Sequence, residues 1–157
     1  MNVSDIAFTP AVKAEQSRLG SREIYERQIS KQDWRRDVDD FLSAFLAERD
    51  SFYLATVNGE GQPYIQHRGG PKGFLKVLRP ATLGFADFSG NRQYISMGNL
   101  TENDKVSLFF MDYANRARVK LWGRARVVED DPALLDQLAD TAYRGRPERA
   151  FVIEIEA

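Results

Sequence analysis

The chain has 157 residues, of which 43% are hydrophobic and 29% charged, a composition that fits one globular domain and excludes a disordered or collagen-like chain. Its net charge of -1 gives no overall attraction to nucleic acid or to an anionic membrane. No segment approaches the ~18 apolar residues of a membrane span, and the N-terminus lacks the layout of a signal peptide, so we expect a cytoplasmic protein. Because cysteine is absent and His67 is the single histidine, cysteine-ligated and multi-histidine metal sites are excluded.

The first part of the chain is predicted to contain helices but no strands. Residues 1–32 are polar and weakly patterned, and we interpret them as an N-terminal arm with a short helix after Ser21, preceding one domain over residues 33–157. Between Asp33 and Arg49, apolar residues recur at steps of three and four, which predicts an amphipathic helix. Its apolar face consists of Trp34, Val38, Phe41, Leu42, Phe45 and Leu46.

Six strands are predicted to follow, in three pairs. SFYLATV and QPYIQHR flank a hairpin turn at residues 58–61, and GFLKVL and TLGFAD flank a turn that contains Pro80. KVSLFFMDY and ARVKLWGRARVV are longer, and the second alternates Arg116, Arg118 and Lys120 with apolar residues. Within it, Gly123 indicates a bulge or bend.

Two further helices and a last strand complete the predicted fold. One short helix is predicted between the fourth and fifth strands, in SGNRQYISMGNLTEND. Another begins at Asp131 and Pro132 and ends at Gly145, with its apolar stripe on Leu134, Leu135, Leu138 and Ala142. AFVIEIEA then forms the last strand. The pattern predicts a mainly β fold, a closed antiparallel barrel of six to seven strands with peripheral helices, because closure removes unpaired edges.

Three segments combine cations with small or polar residues. In HRGGPK, two glycines let a backbone approach a ligand while Arg68 and Lys72 supply positive charge for an anion; a bulge with solvated cations is the structural alternative. SGNRQ, at a predicted helix start, offers N–H groups and Arg92 to a phosphate, or is only a polar helix cap. The alternating cations of RARVK fit a solvated strand face, and a nucleic-acid surface ranks last because net charge is near zero. His67 alone could be a haem ligand, a general base or a structural residue.

These segments, in this order around the predicted strands, resemble the pyridoxamine 5′-phosphate oxidase-like family of FMN-binding split barrels. The resemblance covers about residues 37 to 157. It implies a homodimer with FMN at the subunit interface, acting as an oxidoreductase on a small-molecule substrate, with no nucleic acid and no membrane as partner. By position, the phosphate would be held by Asn91, Arg92 and Gln93 with Lys72 or Lys76. The ring and ribityl chain would lie near His67, Arg68, Gly69, Asp87, Phe88, Ser89 and Arg118.

The chain also departs from the family pattern in two places. Up to Ala157 it has no counterpart of the Arg-x-His-like segment that binds pyridoxamine in the family's oxidases, so that substrate is not expected. Gln93 stands where a cation is more usual, which favours a weaker phosphate site or a different flavin such as F420. Two alternatives to an FMN enzyme stay open: a flavin-binding module without turnover, and a haem-binding barrel with His67 as ligand.

Overall fold

The computed structural model describes residues 1–88, 90–140 and 147–157. Within these ranges the chain forms one antiparallel sheet of seven strands in the order β2-β1-β5-β6-β7-β4-β3. The strands are β1 (Ser51–Val57), β2 (Pro63–Gly69), β3 (Lys76–Arg79), β4 (Thr82–Asp87), β5 (Lys105–Asp112), β6 (Ala117–Val128) and β7 (Arg149–Ile155). The mainly β fold and the number of strands therefore agree with the prediction.

Five α-helices and one 3-10 helix (Val3–Ile6) surround the sheet in the described ranges. The α-helices are α1 (Pro10–Arg18), α2 (Arg22–Lys31), α3 (Asp40–Ala47), α4 (Ile95–Glu102) and α5 (Pro132–Leu138). None of these helices has the length and apolar content of a membrane-spanning segment. The arm is thus more helical than expected, since α1 was not predicted. The stop of the last helix at Gly145, and its stripe residue Ala142, lie outside the described residues.

The core consists of apolar side chains from the inner face of the sheet and from α3. Phe52 lies at its centre, with ring centroids 5.4 Å from those of both Phe85 and Phe110. Phe45 and Leu46 of α3 are buried in the same cluster. Because successive side chains of a strand point to opposite faces of the sheet, neighbouring residues of one strand serve different surfaces.

Closure of the sheet differs from the prediction. No backbone ladder joins β2 to β3 or β4 among the described residues, so the sheet is not a hydrogen-bonded closed barrel. Instead, Arg68 at the end of β2 forms an ion pair with Asp87 at the end of β4, at 2.6 Å. A side-chain contact therefore bridges the two parts of the sheet, and the sheet stays open between them.

Several element boundaries also differ, each for a local reason. α3 begins at Asp40 rather than near Asp33, because the Asp39 carboxylate caps the helix by accepting from Leu42 N at 2.8 Å. α4 begins only at Ile95, so SGNRQ lies before the helix and not in its first turn. The third strand is shorter than GFLKVL and begins at Lys76.

Gly123 does not mark a bulge, because β6 pairs in unbroken register through this position. Its backbone instead lies so close to β7 that an added Cβ would be 2.3 Å from the Glu154 carbonyl oxygen. Arg116 precedes β6 with a φ of 53°, so it belongs to the turn before the strand rather than to the alternating face of Arg118 and Lys120.

Candidate functional site

A cavity of about 220 Å³ lies at the opening between β2 and β4. Its walls come from β2, from the end of β4, from the segment that leads into α4, and from the start of β7. The lining residues are Tyr64, Gln66, Arg68, Asp87, Phe88, Gly90, Asn91, Arg92, Gln93, Tyr94, Ile95, Ser96, Met97, Arg149 and Phe151. The alternation of β2 directs its even-numbered side chains to this cavity, and Ser96 Oγ donates to Gln66 Oε1 at 2.9 Å, which ties α4 to β2.

Asp87 holds two arginines in the wall of the cavity. One carboxylate oxygen accepts from Arg68 Nη1 at 2.6 Å and the other from Arg149 Nη1 at 3.0 Å. Arg149 also donates to Glu148 at 2.8 Å. Burial disfavours the charged guanidinium, but the hydrogen bonds and charges of Asp87 and Glu148 outweigh it and raise the pKa of Arg149. Arg149 therefore stays charged.

Aromatic rings complete the surroundings of these two guanidinium groups. The Arg68 guanidinium carbon lies 4.8 Å from the ring centroid of Phe151, and that of Arg149 lies 5.4 Å from the ring centroid of Tyr94. Such cation–π contacts favour a fixed position for each charge. The Nε–H groups of Arg68 and Arg149 are buried and have no hydrogen-bond acceptor within the described parts of the chain.

The turn before α4 has a strained backbone. Arg92 and Tyr94 have φ values of 58° and 55°, in the left-handed region that is costly for residues other than glycine. Asn91 Oδ1 accepts from Gln93 N at 3.1 Å, which stabilises the turn. Arg92 is exposed and forms no ion pair in the part of the chain described. The turn thus presents an uncompensated cation at the cavity, and strained turns of this kind concentrate at functional sites.

Six of the predicted site residues meet in this cavity and five do not. The six are Arg68, Asp87, Phe88, Asn91, Arg92 and Gln93. The five line no part of it: His67, Gly69, Lys72, Lys76 and Arg118. The remaining predicted residue, Ser89, lies outside the described residues.

The five separated residues have identifiable positions. His67 is on the other face of β2 from Arg68, where its ring meets Tyr53 edge to face at 5.6 Å. Lys72 is paired with Glu48 at 3.2 Å, and Lys76 begins β3. Arg118 is exposed on β6. If these side chains contact a cofactor, they do so from outside the cavity of their own chain.

The second glycine of HRGG, Gly70, has a packing role. A Cβ on Gly70 would lie 2.8 Å from the ring of Phe74, which packs against the core residue Phe52 at a centroid distance of 5.6 Å. β1 and β2 pair in unbroken register as far as Gly69, so the segment is not a bulge. Gly70 therefore makes room for an aromatic ring of the core, and the close approach that the sequence indicated is an approach to Phe74.

Nine lining residues were not among the predicted site residues, namely Tyr64, Gln66, Gly90, Tyr94, Ile95, Ser96, Met97, Arg149 and Phe151. Arg149 is the most informative, because it is only 8% exposed and still charged. The sequence does contain one signal for Arg149, since it is a cation immediately before the apolar strand AFVIEIEA. Its meaning depends on Asp87, which lies opposite Arg149 in the β4–β7 ladder and 62 residues earlier in the chain.

A family model described as pyridoxamine 5′-phosphate oxidase matches residues 38–157. The chain belongs to the pyridoxamine 5′-phosphate oxidase family. This confirms the resemblance, and the matched range begins within one residue of the range expected from the motifs. All the residues that line the cavity fall within the part of the chain matched to the pyridoxamine 5′-phosphate oxidase family. The comparison with curated proteins gives no match.

Solved structures share the fold at low sequence identity. HupZ of Group A Streptococcus has 18% identity and a TM-score of 0.60, over 75% of this chain and 90% of that one. An FMN-binding protein from Syntrophomonas wolfei has 16% identity and a TM-score of 0.52, over 90% and 92%. HutZ, the heme storage protein of Vibrio cholerae, has 19% identity and a TM-score of 0.53, over 77% and 92%. An F420 reductase also matches, with a TM-score of 0.51. The pyridoxamine 5′-phosphate oxidase fold is therefore shared by proteins named for three different cofactors.

Proposed function

We propose that this protein binds FMN in the cavity between β2 and β4 and acts as a flavin-dependent oxidoreductase on a small molecule. The observation that carries the proposal is the turn before α4, where Arg92 presents an unpaired positive charge beside the amide side chains of Asn91 and Gln93. A phosphate is the anion that suits this arrangement, because a guanidinium and amide N–H groups donate to its oxygens.

The donor set of the cavity fits a phosphate-bearing cofactor. Arg92 would hold the phosphate, and the guanidinium groups of Arg68 and Arg149, both paired with Asp87, line the same cavity. The Tyr94 ring, which is 45% exposed, offers apolar surface to a flat ring system. When bound, FMN supplies the electron-transfer chemistry. The role of Arg68 and Arg149 is then to hold positive charge near the ring, which favours an anionic reduced form.

Two observations support a homodimer with FMN at the subunit interface. The cavity of about 220 Å³ is smaller than the roughly 300–1,000 Å³ of typical ligand pockets, so one chain encloses only part of a cofactor. In addition, the outer face of β1, β2 and β5 exposes apolar side chains, including Ile65 at 66% and Tyr53 at 38%. We propose that a second subunit covers this face and, around the free edge of β2, completes the pocket on the other face, with Arg118 as its contribution.

The experiment that tests the cofactor is an absorbance spectrum of the protein as purified, repeated after FMN is added and the excess removed. Flavin bands at roughly 370 and 450 nm are expected. Arg92→Ala should weaken FMN binding at least about tenfold, because a charge-assisted contact to phosphate is lost. Arg36→Ala, at an exposed arginine outside the cavity, is the matched control and should bind FMN as the parent does.

The spectrum also separates the other cofactors named for this fold. A sharp, intense band near roughly 420 nm that disappears in His67→Ala would indicate haem, and a broader band at the same wavelength would indicate F420. A featureless spectrum that FMN does not change would overturn the proposal. Reduction of the bound FMN by NADH or NADPH would support an oxidoreductase, and FMN that neither reductant reduces would favour a flavin-binding module without turnover.

A further inference from the structure

A second cavity, of about 660 Å³, lies between the N-terminal arm, α3 and β6. Its walls are mainly aromatic. Trp34 stacks on Trp122 with ring centroids 5.3 Å apart, and Phe8 lies 5.2 Å from Trp34. On the other side, Phe41 of α3 is 70% exposed although it belongs to the apolar face of that helix. The volume lies within the range of about 300–1,000 Å³ that is typical of binding sites.

One edge of β6 opens into this cavity without a partner strand. β6 pairs with β5 along its first eight residues, but its ladder with β7 begins only at Gly123. Trp122 still exchanges backbone hydrogen bonds with residues 156 and 157, at 2.8 and 3.0 Å. From Ala117 to Leu121, no backbone hydrogen bond reaches this edge from any described residue. These five residues extend over about 17 Å and present unpaired N–H and C=O groups, a template for another strand.

The charges of β6 indicate what kind of strand would fit. Where β6 is paired with β7, the outward Arg124 meets acidic residues, since it lies opposite Glu154 and donates to Glu156 Oε1 at 2.8 Å. Farther along the same face, Arg118 and Lys120 are exposed and form no ion pair within the described ranges. On the inner face, Leu121 is buried. The unpaired edge therefore offers cations on one face and apolar contacts on the other.

We infer that this edge binds an extended peptide segment of a partner protein, with acidic and apolar residues in alternation. The segment adds to β6 antiparallel, in line with β7. Its backbone pairs with residues 117–121, an acidic side chain lies beside Lys120, and its apolar side chains contact Val119 and Leu121 at the inner side of the cavity. Strand addition of this kind takes affinity from backbone hydrogen bonds and specificity from the alternating side chains. The inference does not depend on the cofactor.

The two tryptophans of the chain make this cavity directly observable. The sequence contains two, Trp34 and Trp122, and both line the cavity. The probe is the peptide acetyl-Glu-Phe-Glu-Phe-Glu-amide, titrated against the full chain while tryptophan emission is recorded. We expect a saturable change in emission. Two control peptides should each bind at least about tenfold more weakly. One carries N-methyl groups on the amides that face β6, and the other has Lys in place of Glu.

A charge reversal on the protein tests the specificity. Lys120→Glu should lower the affinity for the acidic peptide at least about fivefold and raise the affinity for the basic peptide. Lys105→Glu, at an exposed lysine of β5, makes the same change in net charge and should leave both affinities as in the parent.

Four results would overturn the inference. The first is no saturable change up to about 2 mM peptide. The second is equal binding of the N-methylated peptide, which would indicate a general apolar cavity. The third is displacement of the peptide by FMN, which would place it in the cavity between β2 and β4. The fourth is self-association of the parent in sedimentation that Lys120→Glu abolishes, which would make a second copy the occupant.

Discussion

At the scale of single residues, Asp87 has the largest structural consequence in the candidate site. It is the carboxylate shared by Arg68 and Arg149, and its contact with Arg68 bridges the open side of the sheet. If the carboxylate is removed, the arginine charge stays buried without a partner. The loss of stability is then larger than the net stability that the intact ion pair contributes.

Asp87→Asn should therefore lower the free energy of unfolding by about 3 kcal/mol and weaken FMN binding, because Arg68 and Arg149 lose their common acceptor. Urea unfolding and FMN titration measure the two effects. Asp37→Asn, at a side chain that is 60% exposed, is the control and should change stability by less than about 0.5 kcal/mol. If Asp87→Asn unfolds at the same urea concentration as the parent, the shared carboxylate has no structural role.

Asp33 makes the attachment of the arm dependent on pH. Burial raises the pKa of its carboxyl, but hydrogen bonds from Ser4, Trp34 and Val3 outweigh burial and lower the pKa below the ordinary value. A lowered pKa in the folded state means that the carboxylate stabilises the arm above about pH 4 and loses this effect as pH falls through the lower folded value. Tryptophan emission should consequently shift when the pH falls below about 4.

Asp33→Asn provides the comparison. Its emission at neutral pH should already resemble that of the parent in acid, and it should change less on acidification, because no charge remains to be lost at this position. The same acid transition in both proteins would assign the pH dependence to another group.

At the scale of elements, β6 is the strand that connects the two parts of the molecule. It pairs with β5 over Ala117–Arg124 and with β7 over Gly123–Val128. At the crossover, Gly123 allows the backbones of β6 and β7 to approach, and an added Cβ would meet a carbonyl oxygen rather than a side chain that can move.

Gly123→Ala should destabilise the protein by at least about 2 kcal/mol, because β6 and β7 must separate to accept the methyl group. Gly98→Ala in α4 is the control, since nothing lies within 4 Å of a Cβ at that position. It should be neutral or should stabilise the helix by up to about 1 kcal/mol. Thermal unfolding of the two variants beside the parent measures the difference, and equal melting temperatures would contradict the steric argument.

At the scale of the whole molecule, the exposed apolar face of β1, β2 and β5 connects the proposed dimer to the proposed cofactor site. It includes Tyr53, Ile65 and Phe109, which surround a shallow depression. When a cofactor binds between two subunits, its affinity depends on dimerisation. A change that separates the subunits must therefore also weaken cofactor binding.

Ile65→Glu should give a monomer in sedimentation and weaken FMN binding by about tenfold or more, although the side chain does not line the cavity. Leu19→Glu, at a leucine of the arm that is 69% exposed, should change neither property. A monomeric Ile65→Glu protein with unchanged FMN affinity would show that one chain is sufficient for the site. Retained dimerisation in Ile65→Glu would place the interface elsewhere.

Much of the fold could be predicted from local patterns, but only six of the fifteen residues that line the candidate site. The hairpin turn at residues 58–61 depends on side chains close by, since Asn58 Oδ1 accepts from the backbone of Glu60 and Gln62 at 3.0 and 2.9 Å. SGNRQ was recognised for its composition, although the helix starts later than expected. His67 and Arg68 could not be separated in this way, because adjacent strand residues face opposite sides and only the packed sheet defines which side holds the cavity.

The sequence by itself determined the number of strands and their positions along the chain, the turns between most of them, and the cationic segments, because hydrophobic period and turn chemistry are set by residues close together in the chain. Tertiary structure decided which charges meet. It brought Arg149 to Asp87 across 62 residues, left the edge of β6 opposite β5 without a partner strand from Ala117 to Leu121, and placed Arg118 outside the cavity. These outcomes depend on strand register and on the openness of the sheet, which arise from packing between distant segments and have no local signature.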